Sequence, residues 1–294
     1  DPVTGAEACF GTAVERGLAW LLARQAPDGN LGGHSSKQMY NHAVGTEVLA
    51  EAFGLTQEEK YRDAAQRAVD FLSKGRKAGS GWRYTPGGGE SDTSATGWAV
   101  TALHSARMVG LEVDPKAFED GMAFVRAATN PLGLVGYMRV EDAGVKVVVQ
   151  GKNEDFLHHQ TMTAVGMVVR AFAEGKRAEP ALDLGAKHLV SDLPVWNPAG
   201  KSLDYYYWYY ATLALQQFDG PGSKGQGKYW KAWNKALVDA AVPNQEKEEC
   251  RAGSWPPTDR WCWEGGRVCS TALVALALET YYRFPSAFAE GGKK

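Results

Sequence analysis

The chain repeats one unit about five times along its 294 residues, and that repetition limits what it can fold into more than any single motif does. Each copy opens with an amphipathic helix. The apolar faces are Val14, Leu18, Leu21 and Leu22; then Tyr61, Ala65, Ala68 and Leu72; then Phe118, Met122 and Val125; then Leu182, Ala186, Leu189 and Leu193; and last Trp230, Trp233, Leu237 and Ala241. Each set has i, i+3/i+4, i+7 spacing with a charged opposite face, so these helices should lie outside with one side wet. A glycine-rich loop follows each, at 28–33, 79–89, 133–136, 197–200 and 253–266. A second helix comes next, expected at 41–53, 93–108, 160–173, 205–217 and 270–282. These helices are apolar or small nearly all round, as in Ala272-Leu273-Val274-Ala275-Leu276-Ala277-Leu278, which marks burial on every side. Wet and buried helices in alternation predict an all-α chain, a two-layer ring or solenoid of five or six helical hairpins forming a single domain over 1–294. The extra length between copies falls at 129–158 and 219–266, both read as loops. Val145 to Gln150 reads as a short extended excursion.

The first copy contains Arg16-Gly17-x-x-Trp20-Leu21-x-x-x-Gln25-x-x-x-Gly29-x-Leu31, which resembles the QW repeat of squalene and oxidosqualene cyclases, with Leu31 where the final Trp usually stands. Gly253-Ser254-Trp255 is similar to the end of that repeat, and Arg67-Ala68-x-x-Phe71-Leu72 to its start. The resemblance extends over most of the chain as a repeat pattern. It implies the α/α toroid shared by those cyclases, the β subunits of protein prenyltransferases and the thioester domains of complement-like proteins, and it is nearest to the bacterial prenyltransferase/squalene-oxidase repeat proteins. In such repeats the Gln ties the end of an outer helix to the free N–H groups at the start of the next helix, and the Trp stacks over it.

The signatures of that superfamily's chemistries are missing. No Asp-x-Asp-Asp run is present for alkene protonation. Asp92-Thr93-Ser94 has Ser where the zinc-binding pair of the prenyltransferases has Cys, and Cys9-Phe10-Gly11-Thr12 does not match a thioester sequence. No cofactor is called for. Whether the chain is an enzyme stays open at this level.

Charge narrows the partners. Lys and Arg total 32 against 34 Asp and Glu, so there is no basic excess to neutralise phosphates, and nucleic acid is not an expected partner. The longest clearly apolar stretch, Thr271 to Leu278, is too short to span a bilayer. The chain opens at Asp1 rather than Met, as a trimmed or processed chain would. Four cysteines without a CxxC pair argue against a zinc ribbon. Cys250 and Cys262 flank a Gly/Pro/Trp-rich loop, where a disulfide would staple irregular structure in an exported protein; the alternative is four free thiols in a cytoplasmic one.

In a ring of hairpins the inner helices run one way, so their N-termini meet at one mouth. That mouth would gather His42, Asp92, His158, His159, Asp204, Tyr206, Trp208 and Arg267, the default place for a ligand. Asp92 precedes a buried helix and reads either as an N-cap or as a general acid whose pKa is raised by an apolar cavity; Asp204 has the same two readings. His42, His158 and His159 have no fixed metal-ligand spacing. Arg267 would clamp an anion or pair with Glu264. The run Tyr205-Tyr206-Tyr207-Trp208-Tyr209-Tyr210 covers every direction of a helix, so some rings face the cavity and others fill the core. Together these residues lead to two expectations. One is a terpene-cyclase/prenyltransferase-like cavity for a hydrophobic or isoprenoid-like small molecule, with Asp92 as acid. The other is an exported, non-catalytic scaffold that binds a protein or glycan through its loops.

Overall fold

The computed structural model describes residues 10–142, 147–149, 152–154, 159–175, 177–198, 203–285 and 287. Among them are ten α-helices: α1 Phe10–Arg24, α2 Gln38–Thr56, α3 Glu59–Lys74, α4 Thr93–Met108, α5 Pro115–Ala127, α6 His159–Glu174, α7 Pro180–Val190, α8 Tyr205–Asp219, α9 Lys228–Ala241 and α10 Cys262–Arg283. Among the described residues the fold is all-α apart from one short antiparallel ladder, Val147–Val149 on Lys152–Glu154; its first strand lies in the expected extended excursion and its second just beyond it. None of the described helices is long and apolar enough to cross a membrane.

The chain divides into two compact units, one of Asp1–Ser91 with Trp98–Gly121 and one of Asp92–Gly97 with Met122–Lys294. In the first, α2 packs on α3 around Leu49, Ala65, Val69, Leu72 and Trp82, all buried. In the second, α8 packs on α6 and α10, while α7 and α9 pack on each other and on α8. Within this unit the buried helices therefore neighbour one another and the amphipathic helices form a second layer. Val165, Phe172, Leu189, Tyr210, Leu213, Trp233 and Leu237 fill the space between them. Each such side chain contributes about 1.5–3 kcal/mol on leaving water.

The expected faces hold in full for α3, α5 and α9; in α7 Leu182, Ala186 and Leu189 are buried, while Leu193 lies beyond the helix and is half-buried. The buried set on α3 includes Tyr61, Ala65, Ala68 and Leu72, and that on α9 includes Trp230, Trp233, Leu237 and Ala241. In α1 only Leu18 is buried, while Val14 and Trp20 are 60% and 57% exposed. Amphipathic spacing shows that a face can be buried, and packing decides whether it is. α10 begins eight residues before the expected start because a kink at Gly266 (φ 63°, ψ −159°) joins two helical pieces.

The repeat returns as a hydrogen-bond pattern. After α1, Ala26 N–H donates to Asn30 O (2.9 Å) and Gly29 N–H to Ala26 O (2.9 Å). The loop after α3 repeats this with Lys77 N–H to Gly81 O and Ser80 N–H to Lys77 O (both 3.0 Å). The loop after α5 repeats it with Asn130 N–H to Leu134 O (2.9 Å) and Gly133 N–H to Asn130 O (3.0 Å). Gly29 sits at φ +93°, and a Cβ there would lie 2.2 Å from Arg67 O, so both the turn and the neighbouring helix require glycine.

Tryptophans complete the pattern. Trp82 Nε1–H donates to Leu72 O (2.8 Å) at the end of α3, and Trp255 Nε1–H to Ala241 O (2.8 Å) at the end of α9. Each adds a donor to a carbonyl in the last turn of its helix, where carbonyls lack i+4 partners; Leu72 O also accepts from Gly75 N–H. Gln25 also acts as a tie, but a different one from that expected. Its Nε2–H donates to Ala64 O (2.8 Å) in the middle of α3, and its Oε1 accepts from Arg67 Nη2 (2.7 Å).

Candidate functional site

Three of the loops close onto a side chain of the following helix, at its fifth residue in α2 and α6 and just past the Gly266 kink in α10. Leu31 N–H donates to His42 Nδ1 (3.1 Å), Val135 N–H to Thr163 Oγ1 (3.1 Å) and Trp255 N–H to Thr271 Oγ1 (3.2 Å). His42 is thus the histidine version of a structural position that elsewhere holds threonine. Because its Nδ1 accepts, its proton is on Nε2, which faces Ala68 O at 2.9 Å. Both ring nitrogens are spent on backbone, and burial lowers the pKa to about 4. The side chain is fully buried.

Asp92 is also fully buried and caps α4, accepting from Ala95 N–H at 2.8 Å. The N-cap contact of the first reading is present. Arg267 reaches Ser254 Oγ (3.1 Å) and Glu246 (3.6 Å), not Glu264. Tyr206 shares a 2.6 Å hydrogen bond with Ser94, and its ring meets Tyr210 and Trp261 edge-on. His158 lies outside the described residues; His159 opens α6, and its side chain is likewise outside them. Among the described residues no group of three His, Cys, Asp or Glu side chains could hold a metal ion.

The expected staple does not form. Cys250 is exposed and free, and the sulfur beside Cys262 is that of Cys269, 3.1 Å away. The reason is that Cys262 is already part of α10 rather than the end of a loop, so it faces along its own helix.

Asp204 and Trp208, two of the predicted residues, share a pocket. It lies within the second unit, has a volume of about 280 Å³, and is lined by Gln160, Thr161, Asp192, Leu193, Val195, Asp204, Tyr207, Trp208 and Arg260. Its size is at the small end of ligand sites, which run from about 300 to 1,000 Å³. Gln160 and Thr161 belong to the first turn of α6, where backbone N–H groups have no partner within the helix. Leu193, Val195 and Trp208 supply apolar wall.

Asp204 forms the floor and has two tasks. It caps α8, accepting from Tyr207 N–H (2.7 Å), and it accepts from Trp261 Nε1–H (3.0 Å) on the same oxygen. Asp259 mirrors it, accepting from Cys262 N–H (2.9 Å) at the start of α10 and from Tyr205 N–H (3.2 Å) at the start of α8. The two helix starts are thus cross-tied by two buried carboxylates. Burial, with a smaller effect from Asp259, raises the Asp204 pKa to about 7; burial raises that of Asp259 as well. An acid with that pKa at a pocket wall can donate or accept a proton near neutrality.

One polar group in this wall has no partner among the described residues. Thr161 is fully buried, and its Oγ1 makes no hydrogen bond among the described residues. A buried hydroxyl left this way costs about 1–3 kcal/mol. Sequence reading missed Thr161 and Arg260. Thr161 looks like any small residue of a buried helix, and Arg260 stands in a loop with no motif, next to the cap Asp259. No protein-family model matches the chain, and no curated protein matches it.

Proposed function

We propose that the chain is a small-molecule-binding protein built as an α/α toroid of the kind its repeats resemble, with its ligand in the pocket between the starts of α6 and α8. The ligand is a short isoprenoid-like or other compact apolar molecule carrying an oxygen-rich head. The observation that carries this reading is the buried Thr161 hydroxyl, without a hydrogen-bond partner among the described residues, in the wall of a pocket that also holds the first turn of α6 and Arg260. A head group that accepts hydrogen bonds would satisfy Thr161 and the helix-start N–H groups together. The body would lie against Leu193, Val195 and Trp208. A volume near 280 Å³ suits a five-carbon unit with its head better than a long polyprenyl chain. We take Asp204, which borders this pocket, as the group that exchanges a proton with such a ligand; we assign no reaction.

The test is calorimetry on the full chain with dimethylallyl diphosphate, prenol and inorganic diphosphate. Saturable binding of the first, weakened about ten-fold by Thr161→Val, is expected. Absence of binding by all three overturns the reading. A second reading, an exported scaffold for a protein or glycan, is favoured by one feature: the solvent-facing Val14 and Trp20 on α1.

A further inference from the structure

We propose that Cys262 and Cys269 are a reversible dithiol that closes to a disulfide within α10, a modification site independent of the ligand pocket. In an unbroken helix, residues seven apart are separated by a rise of about 10.5 Å, beyond the roughly 7 Å Cα separation a disulfide can bridge. Here the two sulfurs stand 3.1 Å apart. The kink at Gly266, with φ 63° and ψ −159°, folds the helix back between them. Gly265 supplies the clearance: a Cβ at that position would sit 2.6 Å from Cys269 Cβ and 3.2 Å from its Sγ. Two adjacent glycines therefore do what an ordinary helical residue could not, and both serve the approach of these sulfurs.

The two thiols differ in access and character. Cys262 is fully buried and Cys269 is partly exposed. The Cys262 thiol, as hydrogen-bond partner of Cys269, lowers the Cys269 pKa, so Cys269 is the better nucleophile. The oxidant is a low-molecular-weight disulfide such as oxidised glutathione. The Cys269 thiolate attacks one of its sulfurs and expels one glutathione thiolate, leaving a mixed disulfide. Cys262 then gives up its proton and attacks Cys269 Sγ, forming the Cys262–Cys269 bond and expelling the second glutathione. Two protein thiols are oxidised and one glutathione disulfide is reduced to two thiols. Cys250 is exposed and takes no part.

The experiment uses the full chain, as the parent protein and as the Cys250→Ser variant. The protein is incubated with oxidised glutathione, blocked with iodoacetamide in denaturant, and digested with trypsin. Cleavage after Arg260, Arg267 and Arg283 puts the two cysteines in separate peptides, 261–267 and 268–283. The expected product is these two peptides joined, 2 Da lighter than their sum, with both alkylations lost and both restored by prior dithiothreitol. The Cys250→Ser protein is expected to give the same joined pair. Full alkylation of both peptides after oxidation, a link from Cys250 to either peptide, or loss of the pair in Cys250→Ser each overturns the proposal.

Discussion

His42 and Asp204 both belong to the starts of buried helices, α2 in the first unit and α8 in the second, and both are buried ionisable groups. Their surroundings push them in opposite directions and give them different uses. His42 has both nitrogens on backbone groups, and burial holds it neutral with a pKa near 4. Asp204 also binds backbone, but one side of it borders a cavity, and burial raises it to about 7. A buried polar group with every partner inside the fold is part of the framework. One that completes its shell beside open volume is available to a ligand. Neither the residue type nor its place at a helix start separates these cases; the volume next to it does.

The largest effect expected from breaking this contrast is at His42. His42→Ala removes the acceptor for Leu31 N–H and the donor to Ala68 O and leaves a cavity, so urea unfolding should show a loss of about 4 kcal/mol. His42→Gln should recover part of this; equal stability of His42→Ala and the parent would refute the structural role.

The next effect is in pH dependence. The unfolded chain protonates His42 near pH 6.5 and the folded chain only near 4, so protons favour unfolding and stability is lost as pH falls through that window. Asp204 works the other way. The folded chain holds its proton up to about pH 7 and the unfolded chain only to about 3.8, so stability is lost as pH rises across that interval. Each full shift is worth roughly 3–4 kcal/mol at 1.36 kcal/mol per pKa unit, and the two slopes oppose each other between about pH 4 and 6.5. Asp204→Asn, which keeps a capping side chain, should leave stability rising with pH, and His42→Gln should leave it falling. Melting curves at pH 4, 5, 6 and 7 decide this; parallel profiles for the two variants would remove the assignment.

A smaller effect tests the repeat. Trp82→Phe and Trp255→Phe each delete one Nε1–H donor to a helix-end carbonyl, and each should cost about 1–2 kcal/mol, similar at both sites. A marked inequality would show that the two loops are not equivalent. The smallest change is expected at the exposed face of α1, where Trp20→Ser should alter stability by no more than about 0.5 kcal/mol.

How far the chain could be read depended on what kind of information each residue carries. The start and end of α4 follow from the sequence to the residue, and α6 and α8 to within one or two, because mostly small and apolar residues run between clear loop residues. The start of α10 was missed because Gly265-Gly266 reads as loop, yet here it is a kink inside a helix. In the site, Asp204 and Trp208 were found from their place at a helix start, whereas Thr161, Asp192 and Arg260 come from three separate segments with no common motif.

By itself the sequence determined the all-α class, the alternation of wet and buried helices, and the recurring glycine and tryptophan positions, because these depend on periodicity and local backbone conformation. Tertiary structure decided that His42 is tied to backbone on both ring nitrogens, that Asp92 caps α4, that Asp204 faces a pocket, and that Cys262 meets Cys269 rather than Cys250. Those outcomes depend on which volumes are filled and which atoms come within hydrogen-bond reach across distant segments, and no one-dimensional spacing encodes either.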